Sequence, residues 1–239
     1  WGWGHFAAQA ERAVVVDQKH YPNGLNEKFV TWPKEKTIEF FTAKGGRLDD
    51  PELREIARYT DRIVNVLGHL EGLRVADIGA GSGLFVPLLS QLVGTQGKVY
   101  AVDLSEAFVS FLREKKRNQK LSNVHVVQCD AKRTRLPSKS ADVVMLCDAY
   151  HHVEYPQTFM TDVRRTLSDN GRLFLIDFYN DPSRASDHSP EWLTSHIRAS
   201  KAEFRAEIED AGFSYLYDVV LEELSENYIM VFEPKKKKK

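Results

Sequence analysis

Val75-Ala76-Asp77-Ile78-Gly79-Ala80-Gly81-Ser82-Gly83-Leu84 is the stretch that decides how the rest of this chain is read. An apolar run of strand character enters a turn with glycine at every second position, and a helical pattern follows. Glycine belongs where a chain turns sharply or where a ligand approaches the backbone closely. The start of the following helix offers unpaired N–H groups and the positive end of its dipole, a setting suited to a carboxylate or a phosphate. Folds of several chemistries share that arrangement, so the turn alone does not choose among them. Two details do. A dinucleotide fingerprint asks for a third small residue five positions after the first glycine, but Leu84 stands there and the pattern is GxGxG. Asp77, inside the strand, is a poor neighbour for a pyrophosphate and suits a ligand that carries an ammonium group and a sulfonium.

Outward from this turn, apolar strand-like runs alternate with helical patterns. The strands are expected at Arg74–Ile78, Lys98–Asp103, Val124–Gln128, Asp142–Cys147 and Arg172–Phe178, with helices near 84–93, 105–118 and 156–167. Such alternation implies parallel βαβ units, hence an α/β, doubly wound sheet covered by helices on both faces. A helix near 200–211 then leads to Tyr215–Leu221 and Tyr228–Phe232, two runs expected to pair antiparallel at the sheet edge. On the N-terminal side, Asp50-Pro51 reads as an N-cap followed by proline at the first helical position. Leu53, Ile56, Ala57, Ile63, Val64 and Leu67 then share one face of a single helix. Residues 1–48 hold many aromatics (Trp1, Trp3, Phe6, Tyr21, Phe29, Trp32, Phe40, Phe41) and turn signals at 22–24 and 45–46. They are expected to form a cap or arm over one domain spanning 49–234, with 235–239 a solvated, disordered lysine tail.

At 239 residues the chain holds enough material for one substantial core. The net charge of −1 hides an asymmetry: taking Lys235 to Lys239 from the 33 basic residues leaves 28 against 34 acidic, a net of −6. A body of that sign argues against a nucleic-acid partner. No run of 18 apolar residues occurs, so no membrane-spanning segment is expected. A soluble, cytoplasmic chain is the default expectation, and because the sequence opens on Trp1 rather than Met, an organellar targeting segment stays open. Cys129 and Cys147 end apolar runs and read as small buried hydrophobes.

Further acids fall where the glycine turn needs them. Asp103 closes the second strand, 24 positions after Gly79, where an acid can accept from both ribose hydroxyls. Asp130 follows the third strand, where it can accept from an adenine amino group while the Ala131 N–H reaches a ring nitrogen. Asp77, Asp103 and Asp130 thus mark the ends of three successive strands, the side on which open α/β sheets bind ligands.

Residues 73–233 resemble the class I S-adenosylmethionine (SAM)-dependent methyltransferases, and within them the UbiE-like branch. The resemblance rests on VADIGAGSG (75–83), VYAVDLS (99–105), QCDA (128–131), ADVVMLCDAYHHV (141–153) and LSDNGRLFLIDF (167–178). It implies a Rossmann-like, seven-stranded, mostly parallel sheet with an antiparallel terminal strand, binding SAM and releasing S-adenosylhomocysteine (SAH). By that resemblance Gly79, Gly81, Ser82 and Gly83 would line the methionine part, with Asp77 and Asp148 near its amine. Asp103 and Leu104 would hold the ribose, and Asp130 and Ala131 the adenine.

The loop after the fourth strand, Asp148 to Glu154, is similar to the DxYHHxE segment of small bacterial methyltransferases. Histidine titrates near neutrality, so His152 is the first candidate for a general base, His151 the second, with Tyr150 beside them. Glu154, His196, Arg198 and Tyr228 are candidates for contact with the acceptor. A metal site is not expected, because adjacent histidines should point in different directions. The acceptor is a small molecule, quinone-like or another apolar metabolite, and O-, N-, S- and C-methylation all stay open, as does the oligomeric state. Two other readings also stand here: a SAM-binding protein without turnover, and an NAD(P)-dependent oxidoreductase.

Overall fold

The computed structural model describes residues 26–42 and 48–236, so the expectations for Trp1, Trp3, Phe6, Tyr21, the turns at 22–24 and 45–46, and Lys237 to Lys239 lie outside the described residues. The chain forms α1 (Glu27–Val30), α2 (Lys34–Thr42), α3 (Glu55–Arg58), α4 (Thr60–Val66), β1 (Arg74–Ile78), α5 (Val86–Val93), β2 (Lys98–Asp103) and α6 (Glu106–Asn118). It continues through β3 (Val124–Gln128), β4 (Ala141–Cys147), α7 (Pro156–Thr166), β5 (Leu167–Phe178), α8 (Pro190–His196), α9 (Lys201–Asp210), β6 (Phe213–Val219) and β7 (Asn227–Pro234). No helix among the described residues is long and apolar enough to cross a membrane.

The seven strands form one sheet in the order β3-β2-β1-β4-β5-β7-β6. Strands β1 to β5 pair in parallel, while β7 runs antiparallel to both β5 and β6. The expected antiparallel pair is therefore present, with β7 seated inside the sheet and β6 at its edge. Between β1 and β4 the strand order reverses, the switch point at which doubly wound sheets open a ligand crevice.

The strands read as near-continuous apolar runs because both faces are covered. On one face, Ala76, Ile78, Val144 and Leu146 pack with Phe159, Met160, Phe204 and Phe213. On the other, Val75, Val143 and Met145 pack with Ile56, Ile63, Leu89 and Val93. Neighbouring residues of one strand thus feed opposite cores, as the two-residue strand period requires.

Upstream of the sheet, the single helix expected from Asp50 divides. Asp50 Oδ1 accepts the Glu52 N–H at 2.9 Å and shapes a turn, Arg54 is extended, and Tyr59 (φ −114°, ψ 28°) separates α3 from α4. The cause lies in Glu55. Its carboxylate, 3% exposed, accepts the N–H groups of Ser225, Glu226 and Asn227 at 2.8, 2.7 and 2.9 Å, which fixes α3 against the β6–β7 connection. That connection is only partly solvated: Glu222 is exposed and Glu223 half-buried. Glu226 is fully buried and accepts from the N–H groups of Ser186 and His188.

Replacing Glu55 by alanine strands three buried donors, each costing about 1–3 kcal/mol when unpaired. Urea unfolding of Glu55→Ala is expected to show a loss of roughly 3 kcal/mol, with a smaller loss in Glu55→Gln, which keeps one acceptor oxygen. A change of only a few tenths would contradict this account.

Candidate active site

The glycine turn sits at the switch point, against the loop that follows β4. Gly79 has φ +77°, and a side chain there would place its Cβ 2.4 Å from the Ala149 Cβ. Both the backbone conformation and the close approach therefore demand glycine. Gly83 (φ +76°) is different: it packs under Leu112, 2.7 Å from where a Cβ would lie, and lines neither of the two cavities at the turn.

Those cavities adjoin one another and share Leu48, Gly79, Gly81 and Asp148. The larger, of about 170 Å³, is bounded by Asp103, Leu104, Cys129, Asp130 and Ala131 on one side and by His152, Val153 and Glu154 on another. The smaller, of about 70 Å³, reaches Asp77, Ser82, Arg54 and Cys147. Ten residues named from sequence as cofactor contacts thus cluster around the crevice, nine of them lining it and Gly83 supporting it from behind.

Buried carboxylates dominate its electrostatics. Asp77 is 2% exposed, and its Oδ2 has no hydrogen-bond partner. Burial, with Asp103 adding repulsion, pushes it up to about 7. Asp103 accepts the Gly81 N–H and the Ser105 N–H, each at 2.8 Å, and so joins the glycine turn to the start of α6. Burial raises it to about 6 against the lowering effect of those donors. Asp148 adopts φ +49°, uncommon for a residue with a side chain. It accepts from Arg54 and, at 2.6 Å, from Asn227, and burial outweighs the guanidinium to bring it to about 6. Asp130, near the surface, differs. Its modest burial would raise it, but the N–H groups of Lys132 and Arg133 and the Arg135 side chain hold it below the usual carboxylate range.

The acceptor-side candidates separate into two groups. Tyr150 is fully buried, its hydroxyl donates to Glu207 at 2.9 Å, and it lines neither cavity. Arg198 is held by the same Glu207 in a two-pronged pair at 2.9 Å, which occupies the side chain expected to close over an acceptor. Tyr228 is buried against Tyr179 and faces neither cavity. The phenol and guanidinium were legible as polar groups, but the acid that claims both lies on α9, in a helix that reads as ordinary.

The histidines stay together. Residues 150–152 form a 3-10 turn that brings the His151 and His152 rings to 4.2 Å, contrary to the expectation that neighbours diverge. His151 Nδ1 bonds Asp177 Oδ1 at 2.7 Å, with both residues buried. His196, at the end of α8, meets both rings at 5.1 and 5.3 Å. Only His152 lines the larger cavity, where Glu154 joins it. Burial drives His152 well below the usual imidazole value and takes His196 down to about 3. A pKa lowered in this way makes both rings weak bases.

Asn26, which the sequence did not single out, and Phe29, one of the N-terminal aromatics, complete the site. Asn26 Nδ2 donates to the His152 carbonyl at 2.8 Å and to Glu154 Oε1 at 2.9 Å, and Phe29 closes edge-on to the His152 ring. Asn26 and Phe29 thus line the larger cavity, with Phe29 and Phe41 packed on Phe108 of α6.

Comparison with known proteins agrees with this geometry. Residues 76–175 match the profile of a methyltransferase domain family. The chain is 30% identical over 116 residues, 48% of its length, to the ubiquinone/menaquinone biosynthesis C-methyltransferase UbiE of Vibrio campbellii, and covers 45% of that protein. It is 28% identical over 155 residues, 64% of its length, to the UbiE of Cronobacter sakazakii, covering 61% of it. The chain thus spans about half the length of the curated relatives it matches. A crystal structure of a SAM dependent methyltransferase from Aquifex aeolicus superposes with a TM-score of 0.67 at 25% identity, covering 84% of this chain and 98% of that one. Residues 76–175 thus match a methyltransferase domain, in a chain that shares its fold with a SAM dependent methyltransferase and resembles the UbiE C-methyltransferases in sequence.

Proposed function

We propose that this chain transfers the methyl group of SAM to a small, apolar acceptor seated in the larger cavity, under a cover formed by residues 26–42. The observation that carries the reading is Asp77: a buried carboxylate oxygen without a donor, beside a turn whose Gly79 and Gly81 line both cavities. A bare buried acceptor is costly, and a ligand carrying an ammonium group offsets that cost. SAM fits this donor set. Asp77 and Asp148 would face its amino group, Asp103 its ribose, and Asp130 with the Ala131 N–H its adenine.

Bound there, SAM supplies a methyl on a cationic sulfur, so much of the driving force belongs to the cofactor. The chain's own residues orient the acceptor and exclude water. Ile78, Leu146, Phe29, Phe108 and Phe159 give the larger cavity apolar walls, which suits a ring or an alkyl chain over a charged metabolite. His152 and Glu154 also line this cavity and would face the polar atom of the acceptor.

Two outcomes test the reading. Calorimetry with SAH is expected to show binding, weakened about 10- to 150-fold in Asp103→Ala, the loss of one charged hydrogen-bonding group. Binding of NADH instead of SAH, or an unchanged affinity in the variant, would sink it. Labelled SAM offered with a metabolite extract separates turnover from binding alone.

The second outcome concerns pH. Asp77 and Asp103 lie near 7 and 6, above the unfolded value of 3.8, so they favour the folded, unliganded protein below about pH 4, and this contribution is lost as pH rises through 6–7. A cationic ligand acts oppositely, because it favours the ionised carboxylates. Thermal midpoints without SAH are expected to fall from pH 5.5 to pH 8, while the shift produced by SAH grows; Asp77→Asn should flatten both trends.

A further inference from the structure

We propose that His151, His152 and His196 bind one divalent transition-metal ion of the zinc class at the wall of the larger cavity. One ring nitrogen from each residue lies within 4.8 Å of the others. Tetrahedral zinc with Zn–N bonds of about 2.0–2.1 Å needs separations of about 3.3 Å, so the rings would close by up to about 1.5 Å around the ion. The chain fits a metal in three further respects. His151 spends Nδ1 on Asp177, which leaves Nε2 for a ligand and supplies the carboxylate–histidine pairing that orients metal-bound imidazoles. His152 Nδ1 is buried and has no hydrogen-bond partner. His196 is clamped by Trp192, whose ring stacks on it at 4.3 Å and on His188 at 4.0 Å, while His188 is fixed by Glu226 at 2.7 Å.

A three-histidine site differs from a structural zinc centre in leaving a coordination position open. His152 lies on the cavity wall, so that position adjoins the space assigned to the acceptor. This consequence rests on the methyl-transfer reading. An acceptor hydroxyl or thiol bound there would release its proton to water. Its lone pair then forms the new bond to the methyl carbon as the carbon–sulfur bond breaks, the electron pair passing to sulfur to give SAH and the methylated product.

The metal itself is testable without SAM. The whole 239-residue chain, freed of metal by chelation, is titrated with Zn²⁺ and with Co²⁺, reading stoichiometry by elemental analysis and ligand field by visible absorption. One equivalent is expected, with the intense bands of four-coordinate Co²⁺. Asp177→Asn should weaken affinity about 10- to 100-fold, and His196→Ala should abolish stoichiometric binding, with circular dichroism and SAH affinity as controls for folding. No bound ion, weak six-coordinate Co²⁺ bands, or equal binding by wild type and a folded His196→Ala protein would overturn the proposal. SAH binding alongside any of these results would leave the methyltransferase reading intact, whereas metal binding without SAH binding would remove only the acceptor role.

Discussion

The space of one missing methyl group between Gly79 and Ala149 governs the centre of this molecule. Strands β1 and β4 are neighbours, so the loops that leave them emerge side by side, and only a glycine lets them approach as they do. That approach creates the two adjoining cavities, with Gly79 and Asp148 in the wall of each. Every side chain assigned a role here is placed relative to this contact: Asp77 two residues before it on β1, Asp103 across from it on β2, and the histidine turn beyond Ala149.

Around that contact the chain gathers acids at a cost to its own stability. Asp77, Asp103, Asp148 and Asp177 are all buried near strand ends, and burial raises each of them. Arg54 meets Asp148, and backbone N–H groups serve Asp103 and Asp177, yet Asp77 keeps an oxygen with nothing to accept. A fold free of ligand duties would place apolar residues at such positions. Strain of this sort, concentrated at one crevice while the two cores on either side are closely packed, is the usual mark of a site shaped for something other than stability.

Much of this was legible in the chain. The bounds of β1, β2 and β3 match the sequence reading because strands buried on both faces announce themselves as short apolar runs between turns. The acids that line the cavities were legible for the same reason, each standing in or just after such a run. What escaped was whatever depends on a distant partner. Glu55 read as one residue of an amphipathic helix, although its role is set by three N–H groups 170 or more positions away. Asp177 stands inside an apolar run as Asp77 does, but no glycine turn follows to mark it. Helix α8, of seven residues, is too short for periodicity; its Ser189-Pro190 start was the available signal. The histidine pair was misjudged because a 3-10 turn replaces the extended backbone on which neighbours diverge.

The seat of β7 has a bearing on how the molecule is made. It is the last described strand in chain order, yet it lies between β5 and β6 and is hydrogen-bonded on both sides. Until residues 227–234 are available, β5 presents a long open edge lined by Leu173, Leu175 and Ile176. A nascent chain at that stage carries an unpaired apolar strand of the sort that seeks other chains. Half-synthesised copies therefore call for shielding during translation, and a truncation in this stretch would sooner produce aggregates than a smaller folded enzyme.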